Sequence, residues 1–408
     1  MLLKICSRIK KFIIIIIKIK LTLQLPIKKK IVLYDKHAYH KIYKILPEND
    51  FHILKVRIEE INILIFLKNL VNLKFSYFAY LESYIKYINP KILITFVDNN
   101  FNFYKHHFKN IVKIAVQNGR RIDPENFRSQ VDNKINFYTD YIFTYNDNDR
   151  KIYENIGGIK SKKFIAHGSY KLNSIIESKS KSKSKSKTKK FDFIYVSTFR
   201  KFYNEETSKV YKNVSSSEYI KYEIKLIKII SEFSMKYNKK ISILMRYPEN
   251  HENSTNEKNF YSEHLASTKK ISFIFSKNYL EFDVLDKNKT DSKRILSPYE
   301  NLYLANVVIG VDSTLLYEAL AAGHKVAFFS IRGKKNCLKY RTFAWPYKIS
   351  NTGFFWNSRL DKKDIYNVLN NLLNITNNNW KNYVKKYSYI MKKDPGNKKL
   401  KKLINSIA

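Results

Sequence analysis

The sequence predicts an α/β fold of two Rossmann-like, doubly wound domains that face a cleft. Short apolar strands alternate with helical stretches in both halves of the chain, as in parallel sheets covered by helices. A Ser-Lys alternation at 178–190 has no apolar side chain to bury, so it reads as a solvated linker between the halves. A length of 408 residues is enough for two or three domains with cores of their own.

Composition excludes several classes of protein. A hydrophobic content of 44% with 15% aromatic residues excludes a disordered or collagen-like chain. The two cysteines, Cys6 and Cys337, cannot form a disulfide framework or a cysteine zinc cluster, and their scarcity favours a reducing compartment such as the cytosol. The net charge of +41 has two explanations that stay open here. One is A+T-rich codon usage, which supplies lysine throughout, and the other is a selected electrostatic role.

Residues 1–28 form a basic, apolar leader. Its longest apolar run, at 12–17, is too short to span a bilayer, and no small-residue cleavage site follows it. The sequence therefore predicts neither a transmembrane span nor a cleaved signal peptide. Either the leader lies on an anionic membrane surface, or it is an ordinary leader helix or disordered tail.

The predicted organisation after the leader is a first domain at 29–177, the linker at 178–190, a second domain at 191–392 and a tail at 393–408. Predicted strands lie at 30–34, 52–56, 92–97, 112–117, 141–145, 163–166, 191–197, 241–245, 271–275, 307–311 and 326–329. Predicted helices lie at 77–88, 147–156, 218–237, 298–305, 313–322, 362–373 and 378–392.

The most informative segment is 306–330, NVVIGVDSTLLYEALAAGHKVAFFS, which reads as strand, turn, helix, glycine and strand. Asp312 is predicted to cap the helix, leaving the amides around Ser313 and Thr314 to bind an anion. Thr314 and Glu318 share one helical face, so they could bind a phosphate and a ribose diol together. The alternative is routine capping by Asp312 and Ser313, with Glu318 as a solvated surface carboxylate.

This segment resembles the donor-binding βαβ unit of GT-B glycosyltransferases, in which small hydroxyl residues, a glutamate and a glycine precede an apolar strand. Other matching stretches are ITFVDNN, AVQNGRR, AHGSYKLN, LSPYENLYLAN, GFFWN and DPGN. Together they resemble a bacterial family of surface-carbohydrate biosynthesis proteins, over nearly the whole chain from Lys29 apart from the linker. The resemblance implies a two-domain GT-B fold whose second domain binds a nucleotide-sugar donor and whose first domain binds the acceptor.

Three further residues are candidates for donor binding. Arg246 follows a predicted strand, where its guanidinium could bind a diphosphate and stabilise the departing nucleotide. The alternative is an ion pair with Glu249 or Glu252 at the end of the strand. By resemblance, Ser297 and Tyr299 lie in a loop that contacts the nucleotide base.

The first domain offers candidates for the acceptor side. An inverting glycosyltransferase needs a base to deprotonate the acceptor hydroxyl, and Asp98 and Asp35 each follow a predicted strand. Helix capping is the alternative for Asp98. The remaining acceptor or cleft candidates are Asn99, Asn118, Gly119, Arg120, His167 and Ser169.

The sequence shows no metalloprotease, Walker or cysteine-pair motif, so no metal or other cofactor is expected and the nucleotide-sugar serves as substrate. The first hypothesis is a cytoplasmic glycosyltransferase, at most peripheral at the inner membrane face, acting on a glycan or lipid-linked acceptor of lipopolysaccharide or capsule. Alternatives are a nucleotide-sugar 2-epimerase of the same fold, a basic nucleic-acid-binding protein, for which no binding module is visible, and a non-catalytic scaffold.

Overall fold

The computed structural model describes residues 19–36, 45–46, 50–121, 137–181, 188–199, 216–265, 271–275, 298–330 and 343–408. They form two six-stranded parallel sheets and one two-stranded parallel sheet. The predicted α/β architecture with two Rossmann-like sheets is thereby confirmed. The two large sheets fall within the predicted intervals 29–177 and 191–392, whose boundaries stay predictions.

The first large sheet has the strand order β3-β2-β5-β6-β7-β8, and β1 pairs separately with β4. The strands are β1 (Lys20–Thr22), β2 (Ile31–Tyr34), β3 (Phe51–Leu54), β4 (Glu60–Asn62), β5 (Ile92–Thr95), β6 (Val112–Val116), β7 (Phe137–Thr144) and β8 (Ile159–Ala166). Strands β2 and β5 are buried along their whole length, because helices cover both faces of the sheet. Strand β3, which follows β2 in the chain, lies on one side of β2, and β5 lies on the other side. The position between β2 and β5 is therefore a topological switch point.

The helices of the first half pack on this sheet. They are α1 (Ile63–Val71), α2 (Tyr77–Ile88), α3 (Phe101–Lys105), α4 (Asp149–Lys151), which continues as a π-helical turn (Ile152–Ile156), and α5 (Tyr170–Lys181). The side chains of Asn62 and Ser76 cap α1 and α2 by accepting backbone N–H groups. The predicted helix at 77–88 is confirmed, whereas the helix predicted at 147–156 is mostly a π-helical turn.

The second large sheet has the strand order β11-β10-β9-β12-β13-β14. Its strands are β9 (Phe191–Val196), β10 (Ile241–Leu244), β11 (Ile271–Ile274), β12 (Ala305–Val311), β13 (Lys325–Phe329) and β14 (Trp356–Asn357). This is the order 3-2-1-4-5-6 of dinucleotide-binding folds, and its switch point lies between β9 and β12. All strands predicted from the sequence occur close to their expected positions, while the short strands β1, β4 and β14 were not predicted.

The second half contains α6 (Ser216–Lys236), α7 (Ser254–His264), α8 (Thr314–Ala321), α9 (Lys362–Asn374), α10 (Asn377–Lys386) and α11 (Lys398–Ile407). Single 3₁₀ turns occur at Ser388–Ile390 and Pro395–Asn397. The predicted helix at 378–392 therefore ends at Lys386. Residues 298–302 are helical, and β12 already begins at Ala305, so the helix predicted at 298–305 is shorter than expected.

The C-terminal segment is a structural part of the first domain. The sequence suggested a tail at 393–408, but α11 packs on the first sheet, with Leu400 and Ile404 fully buried. These two side chains share one apolar core with Ile31 and Phe96. The chain therefore returns from the second domain to the first at its end.

The other two predicted segments are partly described. Residues 20–22 of the leader form β1, and residues 1–18 lie outside the described residues. Helix α5 extends into the predicted linker as far as Lys181, and residues 182–187 lie outside the described residues. No helix in the described part of the chain is long and apolar enough to cross a bilayer.

Candidate functional site

The carboxyl ends of the two large sheets face each other and are in direct contact along a seam, which we call the crevice. The backbone N–H of Arg120, in the loop after β6, donates to Thr314 Oγ1 at the start of α8 over 2.9 Å. The hydroxyl of Ser169, after β8, donates to Glu318 Oε1 on the same helix. Because parallel α/β sheets bind ligands beyond the carboxyl ends of their strands, this crevice is the candidate functional site.

The turn between β12 and α8 differs from the prediction at its cap. Ser313, not Asp312, is the N-cap, and its hydroxyl accepts the N–H of Leu315 at 3.3 Å. Asp312 has a φ of 46°, in the left-handed region that aspartate tolerates better than most residues. Its N–H donates to Phe329 O, so this turn extends the pairing of β12 with β13. The prediction that Asp312 caps the helix is therefore wrong.

Glu318 is a buried carboxylate with a hydroxyl partner at each oxygen. It is 3% exposed, so the alternative of a solvated surface carboxylate is wrong. Its Oε2 accepts the hydroxyl of Tyr299 at 2.8 Å, and its Oε1 accepts Ser169 from the first domain. The structure thus brings Tyr299, from the helical segment 298–302, next to Glu318, which lies on the same helix as Thr314. Ser297 lies outside the described residues.

Arg246 lies at the same edge of the second sheet as α8 but apart from it. Strand β10 pairs with β9, which pairs with β12, so the ends of β10 and β12 are two strand spacings, roughly 10 Å, apart. The side chain is exposed, and its guanidinium carbon lies 5.9 Å from the centroid of the Tyr247 ring. Its position is compatible with a ligand that spans the edge of the sheet.

Glu257, on α7, fixes the loop that carries Arg246. Its carboxylate accepts the backbone N–H groups of Arg246 at 2.8 Å and Tyr247 at 2.9 Å, and also the hydroxyl of Ser197 after β9. Burial raises the pKa of Glu257, while these hydrogen bonds lower it. Sequence reasoning missed this residue, since a glutamate on a polar helix looks like any surface charge.

Asp98 anchors the loop after β6. It is fully buried and forms an ion pair with Arg121, whose Nε donates to Oδ2 at 2.7 Å. The hydroxyl of Tyr153 donates to Oδ2 at 2.6 Å, and the N–H of Asn118 donates to Oδ1 at 2.9 Å. Both carboxylate oxygens therefore have strong partners in this arrangement. A catalytic role for Asp98 stays a prediction.

Asp35 ends β2, the strand next to β5. It is fully buried, has a φ of 87°, and pairs with Arg57 Nη2 at 2.9 Å. The Thr95 hydroxyl, at the end of β5, donates to Tyr34 O at 3.1 Å and joins the two strand ends. Asp35 and Asp98 therefore flank the switch point of the first sheet. Asn99, next to Asp98, is exposed.

Arg120 is buried between the two domains. Its guanidinium donates to the carbonyl of Trp345, lies 3.4 Å from Asp149 Oδ1, and has its central carbon 4.8 Å from the Tyr317 ring centroid. A Cβ added to Gly119 would make an ordinary van der Waals contact of 3.5 Å with Thr314 Oγ1, so the approach of the domains here does not depend on glycine. Arg120 is therefore a contact between domains in this arrangement.

His167 lies at the end of β8 but faces α11. Its Nε2 is 3.0 Å from Asn397 Oδ1, just before that helix. Burial lowers the pKa of His167 to about 4, so the imidazole is neutral near pH 7.

Lys171 was not recognised as a candidate, although it follows Ser169 by two residues. Its Nζ donates to the carbonyl of Asn118 at 3.3 Å. Burial lowers the pKa of Lys171, and the nearby carboxylates of Glu318 and Asp98 oppose that effect. It adds a cation to the first-domain side of the crevice.

The described residues contain no cluster of three or more histidine, cysteine or acidic side chains that could hold a metal ion. An Asp-x-Asp motif does occur at 147–149, after β7. Its two carboxylates have different surroundings, since Asp149 is buried near Arg120 while Asp147 is 74% exposed and 3.5 Å from Lys392 Nζ. The motif therefore does not assemble into a metal site here.

Comparison with solved structures gives the same overall architecture. The UDP-GlcNAc 2-epimerase of Methanocaldococcus jannaschii, in complex with UDP-GlcNAc and UDP, aligns with a TM-score of 0.51 and 16% identity over 92% of this chain and 98% of that one. The wall teichoic acid polymerase TagF aligns with a TM-score of 0.46 and 12% identity over 93% of this chain and 89% of that one. At these identities the epimerase supports the fold alone.

Comparison with curated proteins gives no match. A family model described as "putative O-antigen biosynthesis protein" matches residues 114–408, which include the loops that carry Arg120 and Ser169 and the whole second domain. With that match over most of its length, the chain belongs to this family of O-antigen biosynthesis proteins.

Proposed function

We propose that the protein is a glycosyltransferase that moves a sugar from a nucleotide-activated donor to a glycan acceptor of O-antigen or a related surface polysaccharide. The observation that carries the proposal is the pair Thr314 and Glu318, one turn apart at the start of α8 and facing the first domain. Membership in the O-antigen biosynthesis family supports the class of product. The second domain would bind the donor, and the first domain the acceptor.

Glu318 is suited to bind the ribose of the donor. Each of its carboxylate oxygens already accepts one hydroxyl, from Ser169 and from Tyr299. A ribose diol presents two hydroxyls in the same way, so it could replace these partners when the domains separate. Carboxylates form charge-assisted hydrogen bonds that are about twice as strong as neutral ones.

The diphosphate would bind between Thr314 and Arg246. The start of α8 carries the positive end of the helix dipole, and Thr314 places a hydroxyl there. A guanidinium such as that of Arg246 binds a diphosphate in bidentate fashion. Both groups would stabilise the charge that develops on the departing nucleotide, so the proposal needs no metal ion.

Asp98 and Asp35 are the proposed candidates for the base that deprotonates the acceptor. Both end neighbouring strands of the first sheet. Asp98 could act in this way only after its oxygens exchange their partners, since Arg121 and Tyr153 occupy them. If Asp98 instead keeps Arg121 and Tyr153 as partners, it positions the loop after β6, and Asp35 supplies the base.

A thermal-shift panel of UDP, CDP, CMP, GDP and ADP tests donor binding. A ligand bound only to the native state adds about 2.7 kcal/mol of stability at a hundred times its Kd, so we expect at least one pyrimidine or guanine nucleotide to raise Tm. Glu318→Gln and Arg246→Ala should reduce that rise. Glu232→Ala and Arg150→Ala, which remove charges from surface ion pairs, should not.

Two results would contradict the proposal. If duplex DNA stabilises the protein while every nucleotide fails, the protein binds nucleic acid. If the protein interconverts nucleotide-sugar epimers without any acceptor, it is an epimerase, the activity named for the Methanocaldococcus jannaschii protein of similar fold.

A further inference from the structure

One face of the first domain carries an unusual concentration of exposed apolar side chains. The described residues contain twelve strongly exposed large hydrophobic side chains, and ten of them lie in two short segments, 20–30 and 63–75. We call these two segments the apolar-basic surface. Its exposed apolar members are Leu21, Leu23, Leu25, Ile27, Leu64, Phe66, Leu67, Val71, Leu73 and Phe75.

The two segments lie side by side in the fold. Strand β1 pairs in parallel with β4, which leads directly into α1. The Asn62 side chain, which caps α1 by accepting the N–H of Ile65 at 3.1 Å, donates to Gln24 O at 2.8 Å. The exposed side chains of both segments therefore belong to one surface.

Helix α1 has its apolar face turned to solvent. It buries Ile65 and Asn69, whereas Leu64, Leu67 and Val71 are 43%, 50% and 83% exposed. These three residues follow the i, i+3, i+7 spacing of a single helical face. A surface helix normally places polar residues there, and a contiguous exposed apolar patch marks an interaction site.

The charge of the surface indicates its partner. Lys20, Lys28, Lys30, Lys68 and Lys74 are all exposed. Residues 20–30 and 63–75 contain no aspartate or glutamate, and neither do the preceding residues 1–18. Apolar side chains surrounded by cations match a bilayer with anionic headgroups. A second copy of the same face would instead place like charges against each other, since the interface of a two-fold dimer is self-complementary.

We propose that the apolar-basic surface binds an anionic lipid bilayer, with its leucine and phenylalanine side chains among the acyl chains and its lysines at the headgroup phosphates. Residues 1–18 are not needed for this contact, because the segments 20–30 and 63–75 carry both the apolar and the cationic side chains.

The surface borders the edge of the sheet that faces the crevice. Tyr77, two residues after Phe75, donates its hydroxyl to Lys55 O at 3.0 Å and accepts the N–H of Ile58 at 3.2 Å. These residues follow the carboxyl end of β3. This last step rests on the proposed function. If the first domain binds the acceptor, an acceptor anchored in the bilayer would lie beside that side of the crevice.

Vesicle sedimentation of the full chain tests the proposal. We expect binding to phosphatidylcholine vesicles with 30 mol% phosphatidylglycerol and much weaker binding to phosphatidylcholine alone. The double variants Leu67→Glu/Phe75→Glu and Lys68→Glu/Lys74→Glu should each lower the partition coefficient by about tenfold or more. Matched controls on the second domain, Met235→Glu and Lys381→Glu/Lys385→Glu, should leave it within about twofold of the parent.

Three results would overturn the proposal. The first is no binding to anionic vesicles. The second is binding that Lys10→Glu/Lys11→Glu abolishes while both surface variants retain it, since the leader alone would then bind lipid. The third is a lipid-free dimer that Phe75→Glu converts to a monomer, without vesicle binding. The nucleotide-induced rise in Tm should persist in the surface variants, so failure here and failure of the proposed function are distinguishable.

Discussion

Asp98 and Asp35 look alike in the sequence, as acidic residues that each follow an apolar strand, but the structure gives them different partners. Asp98 faces Arg121, whose side chain is 15% exposed, whereas Asp35 faces Arg57, whose side chain is 47% exposed. A buried cation depends on its carboxylate far more than a solvated one does. The two residues should therefore differ in their contribution to stability.

We expect Asp98→Asn to lower the free energy of unfolding by about 3–5 kcal/mol, because it removes the carboxylate that pairs with the buried Arg121. Asp35→Asn should cost about 1 kcal/mol, since water can solvate Arg57. Urea unfolding measures both. Equal costs would contradict this account of Asp98 as the anchor of its loop.

At the scale of elements, a polar network joins α11 to the first domain. Asn397 accepts from the Asn173 side chain at 3.3 Å and donates to Tyr170 O at 3.0 Å. The N–H of Asp394 donates to Asn173 Oδ1 at 2.9 Å. His167 completes the network through Asn397, and its lowered pKa makes the attachment of α11 sensitive to acid.

The pH dependence of stability tests this network. The pKa of His167 falls from 6.5 to about 4 on folding, so its contribution is complete above pH 6.5 and is lost as pH falls from there toward 4. At pH 5 the loss is about 2 kcal/mol. His167→Gln should flatten the fall in Tm between pH 7 and 5, whereas His251→Gln, at an exposed position, should not. An unchanged slope in His167→Gln would show that His167 is not responsible.

The elements also show what a local pattern can predict. The strands of both sheets were predictable because buried parallel strands such as β2 and β5 are uninterrupted apolar runs. Helix α11 was not, although its residues are amphipathic. It buries Leu400 and Ile404 against strands from the start of the chain, and no local pattern contains that partner.

At the scale of the molecule, the crevice residues bind one another across the two domains. Ser169 and Arg120 contact Glu318 and Thr314. Farther along the interface, the side chain of Asn146 donates to Ile390 O at 2.9 Å. If Glu318 binds a ribose, Ser169 competes with that ribose for the same carboxylate oxygen, so donor binding requires the domains to separate at this point.

We therefore expect Ser169→Ala to tighten nucleotide binding by about fivefold to tenfold, because a hydrogen bond that favours the closed arrangement contributes about 1–1.5 kcal/mol. Calorimetric titration with the nucleotide that gives the largest thermal shift measures the change in Kd. Ser161→Ala, also on the first domain, removes a hydroxyl far from Glu318 and serves as the control. Weaker binding in Ser169→Ala would mean that Ser169 contacts the nucleotide directly.

The sequence by itself determined the two parallel sheets and the importance of the segment around Glu318, since both depend on runs and spacings within a few turns of chain. Only the tertiary structure decided which partners the polar residues have: Ser169 and Tyr299 for Glu318, Arg121 for Asp98, Asn397 for His167. Two of these partnerships, Ser169 with Glu318 and His167 with Asn397, join residues that are distant in the sequence. The energy of a buried charge or hydrogen bond depends on what lies across from it in space, and this information is absent from any short stretch of sequence.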